Sequence, residues 1–208
     1  MHRVIGISGL IGSGKDTIAD YLVGTHGYER MSFADTVKDM VSAVFGWDRE
    51  MLEGKTLESR MLREEKDVFW SDKLGKLWTP RIALQEVGTE LFRGKFHSDI
   101  WVNAAEKKME GKDRVVFSDV RFPNEMQMIK RLGALWRVRR GLTPKWYSYA
   151  EYYNGGDGFA TSIPNPSDKF GVHESEWAHA GGPFDHVFRN DWSLQDLYNE
   201  VDKVLEFD

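Results

Sequence analysis

Cysteine is absent from this chain of 208 residues. Without a thiol there can be no disulfide, no thiolate nucleophile and no cysteine-ligated zinc, which excludes a whole class of redox and metal chemistry. Long hydrophobic runs are missing as well, because no apolar stretch approaches the roughly 18 residues that cross a bilayer. The first residues also lack the plan of a signal peptide. We therefore expect a cytoplasmic protein that does not contact membranes.

An excess of positive charge is also lacking. The chain has 28 Lys and Arg against 33 Asp and Glu, a net charge of -5. Residues 1–140 contain 24 basic and 21 acidic side chains, and residues 141–208 contain 4 and 12. A protein that coats nucleic acid is expected to show a broad basic excess, whereas a small anionic substrate needs only a few focused arginines. The charge pattern favours a small-molecule substrate and no nucleic-acid partner.

Strand-like and helical patterns alternate at both ends of the chain, which is typical of an α/β fold with a mostly parallel sheet covered by helices. The pattern predicts strands over 3–8, 28–33, 115–118, 134–138 and 186–189. It predicts helices over 15–22, 35–45 and 123–132, and a last helix that Ser193 caps. In this last helix we expect the apolar residues to point inward, namely Leu194, Leu197, Val201, Val204 and Leu205.

Two segments interrupt this alternation within what we expect to be a single domain over 1–208. Residues 34–110 show helical patterns and no strand, with Thr79 and Pro80 placed to begin a helix. Residues 141–185 contain four of the six prolines and many glycines, and no long regular element is predicted there. Because long irregular segments in compact domains are usually functional loops, we expect a lid over 141–185.

Residues 9–17, which we call the phosphate loop, match the pattern G-x-x-x-x-G-K, with Asp16 where serine or threonine is usual. Glycines let backbone N–H groups turn around a phosphate, Lys15 bridges the terminal phosphates, and the N-terminus of the following helix adds partial positive charge. A strand before the loop and a helix after it are the context that this motif requires. For Mg²⁺, either Asp16 through a water or the hydroxyl of Thr17 is a candidate ligand.

Other segments indicate which kind of phosphate-loop protein this is. A guanine-reading Asn-Lys-x-Asp is missing, and the strand over 115–118 leads into Asp119 rather than the Asp-Glu of an ATP-driven motor. A small-molecule kinase needs an acceptor lobe, cations for the phosphoryl groups and a mobile lid. The region 34–110 would be the acceptor lobe, and its candidate phosphate-binding cations are Lys38, Arg60, Arg63, Arg81 and Arg93.

The chain resembles the phage-type deoxynucleoside monophosphate kinases, a branch of the P-loop nucleoside monophosphate kinase family. The resemblance rests on Ser13-Gly14-Lys15-Asp16-Thr17, on Leu84-Gln85-Glu86-Val87-Gly88-Thr89, on Asp99-Ile100-Trp101-Val102 and on Ser118-Asp119-Val120-Arg121 with Glu125. It implies a three-layer P-loop fold and ATP with Mg²⁺ as cofactors. It also implies phosphorylation of deoxynucleoside 5'-monophosphates to diphosphates, in the host-cell cytoplasm if the gene belongs to a phage. A homodimer is compatible with it.

The resemblance also implies where the substrates bind. The ATP-phosphate site would consist of Gly12, Ser13, Gly14, Lys15, Asp16 and Thr17, with the metal at Asp16 and Thr17. The acceptor site would consist of Lys38, Arg60, Arg81, Gly88, Thr89 and Trp101. Asp119, Arg121 and Glu125 would lie near the phosphates or the metal. The expected catalytic residues are Lys15, Arg81 and Arg121.

Several alternatives remain open at the level of the sequence. Arg63 is an alternative to Arg60, Arg140 and more weakly Arg139 are candidates for contacting the transferring group, and Asn190 either reads adenine or forms an Asx-turn. His173 and His179 do not have the spacing of a metal motif, which disfavours a metal site there. A kinase for another small acceptor such as dephospho-coenzyme A, or a nucleotide-binding module without catalysis, is the alternative function.

Overall fold

The computed structural model describes residues 3–155 and 163–207, which divide into two compact units. The sheet unit comprises residues 3–32, 109–155 and 163–207, and the helical unit comprises Phe33–Lys108. Within the described ranges, no helix is both long and apolar enough to pass through a bilayer.

The strands are β1 Val4–Ser8, β2 Glu29–Met31, β3 Val115–Phe117, β4 Gly133–Arg139 and β5 His186–Arg189. The helices are α1 Lys15–His26, α2 Asp35–Phe45, α3 Leu57–Glu64, α4 Val68–Leu74, α5 Pro80–Gln85, α6 Ile100–Lys108, α7 Pro123–Leu132, α8 Lys145–Gly155, α9 Pro166–Phe170, α10 Glu174–Trp177 and α11 Leu194–Phe207. A 3₁₀ turn covers Met51–Glu53, and a π-helical stretch over Glu86–Phe96 directly continues α5.

The sheet unit is built on five parallel strands in the order β2-β3-β1-β4-β5. The central strand β1 is buried along its whole length, and its Val4 lies opposite Val115 of β3 and Gly133 of β4. Because all strands run the same way, the phosphate loop after β1 and the residues after β3 leave the sheet at the same edge. That edge is where ligands bind in parallel α/β sheets.

Helices cover both faces of this sheet, which confirms the predicted three-layer α/β fold. On one face Ile5 and Ile7 pack in a core with Ile18 of α1 and Val201 of α11. Between them Gly6 faces the other side, where a Cβ atom would lie only 2.7 Å from the side chain of Ile129 in α7. The missing side chain therefore lets α7 pack directly on the sheet. The prediction for Leu194 is wrong, because this first residue of α11 is 52% exposed, before the helix turns its apolar face inward.

The prediction that residues 141–185 contain no long regular element is also wrong, because the 11-residue helix α8 lies there, followed by the shorter α9 and α10. Tyr147, Ala150 and Trp177 bury their side chains in a separate small core with Phe122. Pro166 occupies the first turn of α9, which Asn165 caps, and a left-handed Gly171 ends it, so the breakers delimit helices rather than prevent them. Gly156 and Gly158, which the predicted lid includes, lie outside the described residues.

The helical unit packs α2 to α6 around an aromatic-rich core. The buried members are Val37, Val41, Leu52, Trp78, Ala83 and Trp101. Side-chain caps begin three of its short helices: Thr56 for α3, Asp67 for α4 and Thr79 for α5, where Pro80 follows as expected. Short capped helices explain why the sequence between 46 and 79 shows no long periodic pattern.

Candidate functional site

The phosphate loop joins β1 to α1 at the carboxyl edge of the sheet. All three glycines of the loop have positive φ angles: 147° at Gly9, 77° at Gly12 and 107° at Gly14. Only glycine adopts such angles without strain. Gly14 caps α1 without any side-chain hydrogen bond, so the N-terminus of this helix is not covered by its own cap. The loop therefore has the backbone that a phosphate-binding turn requires.

Lys15 begins α1, and its Nζ donates a hydrogen bond to the carbonyl oxygen of Leu10, 2.9 Å away. Burial and the neighbouring Arg121 lower the pKa of Lys15 from 10.5 to about 8, although the carboxylates of Asp16 and Glu176 act in the opposite direction. A lysine whose charged form is disfavoured lies in an environment with too little negative charge. An anion such as a phosphate would supply it.

Asn190, directly after β5, supports the phosphate loop. Its Nδ2 donates to the carbonyl oxygen of Ser13 at 2.9 Å, and its backbone N–H donates to the carbonyl of Arg139 at 2.8 Å. A Cβ on Gly14 would lie 2.3 Å from this same Nδ2. The structure thus places Asn190 as a brace beneath the loop, whereas sequence reasoning offered it as an adenine-reading residue or a local turn.

We predict that Asn190→Asp lowers the free energy of unfolding by about 1–3 kcal/mol at neutral pH, because a carboxylate would face the Ser13 carbonyl without a donor. Urea denaturation followed by circular dichroism measures this. The matched control is Asn199→Asp in α11, where the side-chain oxygen of Asn199 already acts as the acceptor from Gln195 and is kept. Equal destabilisation of the two variants would contradict the brace.

Asp16 follows Lys15 and makes contacts that the sequence does not suggest. Its Oδ1 accepts hydrogen bonds from the guanidinium of Arg30 and from the hydroxyl of Ser118, the latter at 3.2 Å. Asp119, after β3, accepts from Ser32 at 2.6 Å. Arg30 and Ser118 were missed as site residues, since only the neighbouring positions of β2 and β3 in the sheet bring them to the loop.

The guanidinium of Arg121 contributes to lowering the pKa of Lys15, and it donates to Glu176 at 3.0 Å and to the carbonyl of Ser175 at 3.2 Å. Glu125 has a different role from the one expected. It is only 3% exposed, and its Oε2 accepts the backbone N–H groups of Arg121 and Phe122 at 2.7 and 3.0 Å. It therefore holds the turn before α7 and positions Arg121 rather than facing a substrate.

A pocket of about 380 Å³ opens beside the phosphate loop. Its walls combine the loop with the end of β4, the segment that follows it and parts of α8 and α10. The lining residues are Leu10, Ile11, Gly12, Ser13, Arg137, Val138, Arg139, Arg140, Leu142, Thr143, Pro144, Trp146 and Glu176. The structure thus brings Arg139 and Arg140 together with Gly12 and Ser13. Cations, an aromatic ring and backbone polar groups in one pocket suit a nucleotide.

His179 is a buried residue next to these cations. It is 3% exposed, and within the described part of the chain neither ring nitrogen has a hydrogen-bond partner. Burial, together with Arg121 and Arg137, lowers its pKa to about 3, so the imidazole is neutral. The ring packs near Tyr147, with centroids 5.7 Å apart. Among the described residues, no three His, Asp or Glu side chains cluster as a metal site, and His173 instead caps α10.

The cations expected to bind the acceptor belong to the helical unit, where carboxylates and carbonyls hold them. Lys38 contacts Glu53 at 2.8 Å, and Arg81 lies 3.3 Å from Glu64. Burial alone would raise the pKa of Glu53, but hydrogen bonds from Lys38 and Arg49 lower it to about 2. These ion pairs orient the ammonium group of Lys38 and the guanidinium group of Arg81.

The three further arginines of the set donate to backbone carbonyls. Arg60 donates to the carbonyl of Gly54 at 2.9 Å, and Arg63 lies 3.4 Å from the carbonyl of Glu53. Arg93 donates to the carbonyl of Ser98 at 3.3 Å. Arg60 and Arg63 both lie on α3, so their position in the fold does not favour one over the other as a contact of the acceptor phosphate.

Trp101 differs from the expectation of a base-stacking ring. It is 4% exposed, packs against Phe92 with centroids 5.4 Å apart, and donates its indole N–H to the carbonyl of Gly88 at 2.7 Å. Gly88 is also buried, and a Cβ there would lie 3.3 Å from Val37. Both residues therefore build the core of the helical unit, while the neighbouring Thr89 is partly exposed.

Comparison with known proteins identifies relatives in viruses. A protein of Acanthamoeba polyphaga mimivirus, provisionally named a deoxynucleotide monophosphate kinase, is 34% identical over 144 residues, 62% of this chain and 69% of the relative. The deoxynucleoside-5'-monophosphate kinase of Escherichia phage T5 is 28% identical over 65% of this chain and 74% of its own. The deoxynucleotide monophosphate kinase of Enterobacteria phage T4 is 22% identical over 98% and 99%.

No protein-family model matches the chain. Solved structures align over nearly its whole length with low TM-scores. TT1252 from Thermus thermophilus has a TM-score of 0.45 and 20% sequence identity, and the alignment covers 99% of this chain and 98% of that chain. Shikimate kinase from Bacteroides thetaiotaomicron has a TM-score of 0.43 and 12% sequence identity, and the alignment covers 99% of each chain. The family is shown by the sequence comparison, because the mimivirus protein is 34% identical and the alignment covers more than two thirds of it. This chain belongs to the family of the deoxynucleotide monophosphate kinases.

Proposed function

We propose that this protein transfers the γ-phosphoryl group of ATP to the 5'-phosphate of a deoxynucleoside monophosphate, which yields the diphosphate for DNA synthesis. The observation that carries the proposal is the phosphate loop, with Lys15 beside Arg121, in a chain whose viral relatives bear the name of this activity. The substrates are thus small nucleotides.

The sheet unit would bind ATP. The uncovered N-terminus of α1 and the charge around Lys15 fit the β- and γ-phosphates. The pocket beside the loop, with Arg140 and Trp146, would take the nucleoside. Thr17 and Asp16 offer the hard oxygen ligands that Mg²⁺ prefers, and these residues would hold it. When bound, Mg²⁺ neutralises charge on the phosphates.

The helical unit would bind the acceptor nucleotide. Lys38 and Arg81 would hold its 5'-phosphate, with Arg60 or Arg63 as a further contact, by exchanging their present carboxylate or carbonyl partners for phosphate oxygens. Thr89 would contribute from the π-helical stretch, whereas Gly88 and Trp101 would support it from the core. This exchange keeps each cation paired before and after binding.

The chemistry requires little covalent participation by the protein. An oxygen of the acceptor phosphate, already anionic near neutral pH, attacks the γ-phosphorus, and the bond to the oxygen bridging the β- and γ-phosphates breaks. ADP leaves with the electron pair of that bond. Lys15 and Arg121 would neutralise the charge that spreads over the transferring group, and exclusion of water would prevent hydrolysis. The helices α8 to α10, which follow β4, are the proposed lid.

The test is a panel of deoxy- and ribonucleoside monophosphates, each incubated with ATP and Mg²⁺, with products identified by chromatography. The proposal expects diphosphate formation from deoxynucleoside monophosphates. Phosphorylation of dephospho-coenzyme A but of no nucleotide in the panel would assign the chain another acceptor. ATP binding without transfer to any acceptor would indicate a binding module.

We also predict that ATP binding at about pH 8.5 takes up roughly three quarters of a proton, because the phosphates raise the pKa of Lys15 from about 8 back toward its ordinary value. Lys15 is charged below its folded-state pKa and loses the charge above it, so ATP affinity should fall as the pH rises through 8. Titration calorimetry in Tris and in TAPS, whose ionisation enthalpies differ, measures the proton uptake. ATP itself does not titrate at this pH.

The control for this measurement is Lys15→Arg, in which the side chain stays protonated throughout. The heat of ATP binding to this variant should be the same in both buffers, because its side chain takes up no proton. Identical heats for the wild-type chain in both buffers would contradict a lysine with a lowered pKa at the phosphate site.

A further inference from the structure

Arg30 connects β2 to the beginning of α1. Its Nη2 donates to Oδ1 of Asp16 and, at 2.7 Å, to the hydroxyl of Ser118, and its Nη1 donates to Asp20 at 2.6 Å. Ser118 in turn donates to the same Oδ1 of Asp16 at 3.2 Å. The Asp16 carboxylate is therefore held by two donors, one from β2 and one from the residue directly after β3.

The position of Asp16 creates an electrostatic problem for a phosphate loop. A carboxylate in the first turn stabilises a helix, but it also cancels the positive N-terminal potential that attracts a phosphate. Most loops of this pattern have a neutral hydroxyl at this place. Here the anion directly follows Lys15, so an unpaired Asp16 would repel the triphosphate of ATP.

We propose that Arg30 is a positioning residue that neutralises Asp16 and orients its carboxylate, so that the phosphate loop binds ATP despite the additional negative charge. This inference rests on the proposed function only in that ATP is the ligand of the loop. Arg30 and Asp16 are then an interdependent pair: the arginine is needed because the aspartate is there. Ser118 fixes the same carboxylate oxygen from β3.

The experiment is a double-mutant cycle with Arg30→Gln, Asp16→Asn and the double variant, measured as equilibrium ATP binding by titration calorimetry in EDTA. At a separation of several ångströms near a protein surface, an uncompensated charge should weaken ATP binding about tenfold in Arg30→Gln. In the Asp16→Asn background the same change should cost about twofold or less. Glutamine keeps a hydrogen-bond donor, so the comparison isolates the charge.

Three further variants separate this role from general effects. Arg114→Gln removes a positive charge of the sheet unit whose guanidinium donates to the carbonyl of His26 at 3.0 Å, and it should bind ATP as the wild type does. Arg30→Lys keeps the charge and should retain most of the affinity. Asp20→Asn removes the other carboxylate partner of Arg30 and should leave ATP affinity within about twofold, since Asp20 lies one turn further along α1.

A second measurement uses activity with Mg²⁺. A loss of ground-state binding raises the KM for ATP and changes kcat little. Arg30→Gln should therefore have a raised KM for ATP and a kcat close to that of the wild type. Thermal unfolding reports whether the variant folds. If Arg30→Gln is unfolded, the pair is tested from its other member: Asp16→Asn leaves the charge of Arg30 uncompensated beside the loop and should bind ATP in EDTA at least as tightly as the wild type. Weaker binding by Asp16→Asn would then contradict the proposal.

Two results would overturn the proposal: an ATP affinity of Arg30→Gln equal to that of the wild type, or losses for Arg30→Gln that are the same with Asp16 and with Asn at position 16. Equal losses in the lysine and glutamine variants would also count against charge compensation. If the wild-type chain binds ATP but phosphorylates no nucleoside monophosphate, the proposed function fails, yet the binding cycle still decides the role of Arg30.

Discussion

Lys15→Ala should lower kcat by about 10²–10³, because a transition-state contact of this kind contributes roughly 2.7–4 kcal/mol. In the described structure the Lys15 ammonium donates to the carbonyl of Leu10, within the same loop. In the reaction it would contact the β- and γ-phosphates instead. No second lysine lies within the phosphate loop to replace it.

The same variant should fold normally. Burial lowers the pKa of Lys15 to about 8, which means that the charged side chain is disfavoured in the folded state at neutral pH. Its removal should therefore not lower the free energy of unfolding. Steady-state kinetics and urea denaturation, with the exposed Lys203→Ala of α11 as control, separate the two effects. Turnover of Lys15→Ala within a few-fold of wild type would remove Lys15 from the mechanism.

Gly9→Ala should lower the free energy of unfolding by about 2–4 kcal/mol and weaken ATP binding with it. A Cβ at this position would lie 2.4 Å from the carbonyl oxygen of Val138 and 2.9 Å from the hydroxyl of Ser13, at a φ of 147°. The Val138 oxygen belongs to the backbone of β4, which pairs with β1 on one side and β5 on the other. Because strand pairing holds this carbonyl oxygen in place, the phosphate loop itself must shift to accommodate the Cβ.

Gly12→Ala is the matched control for this prediction. Gly12 also has a positive φ, 77°, but a Cβ there would have no atom within 4 Å. It should cost only the strain of a left-handed alanine, about 1–2 kcal/mol. Denaturant unfolding and ATP titration of both variants measure the difference. If Gly12→Ala is as damaging as Gly9→Ala, steric contact with β4 does not explain the requirement for glycine.

Local patterns predicted several elements of both units correctly. The buried strand before the phosphate loop, the helix after it and Pro80 at the first turn of α5 all follow from short-range backbone preferences. So does the fold class, since alternating strands and helices pack into parallel layers. The family was identified from the same kind of evidence, because the phosphate loop and the segment around Gly88 are contiguous in sequence.

Local patterns gave wrong predictions where tertiary packing determines the structure. The glycines and prolines of 141–185 suggested an irregular segment, but a buried core around Tyr147 and Trp177 makes helices of the stretches between them. Trp101 and Glu125 have the residue types of ligand contacts, yet both are buried and satisfied by backbone groups. Residue type indicates what a side chain can bind but not whether it faces solvent.

The phosphate loop, its lysine and the alternation of strands and helices can be predicted from local patterns, because they depend on residues that are close along the chain. Which side chains surround the loop depends on how the whole sheet unit packs. Arg30 reaches Asp16 because β2 occupies the sheet edge beside β3, and Asn190 reaches Ser13 across 177 positions because β5 lies beside β4. Such contacts follow from strand order, which is the outcome of packing the whole unit and is written in no local pattern.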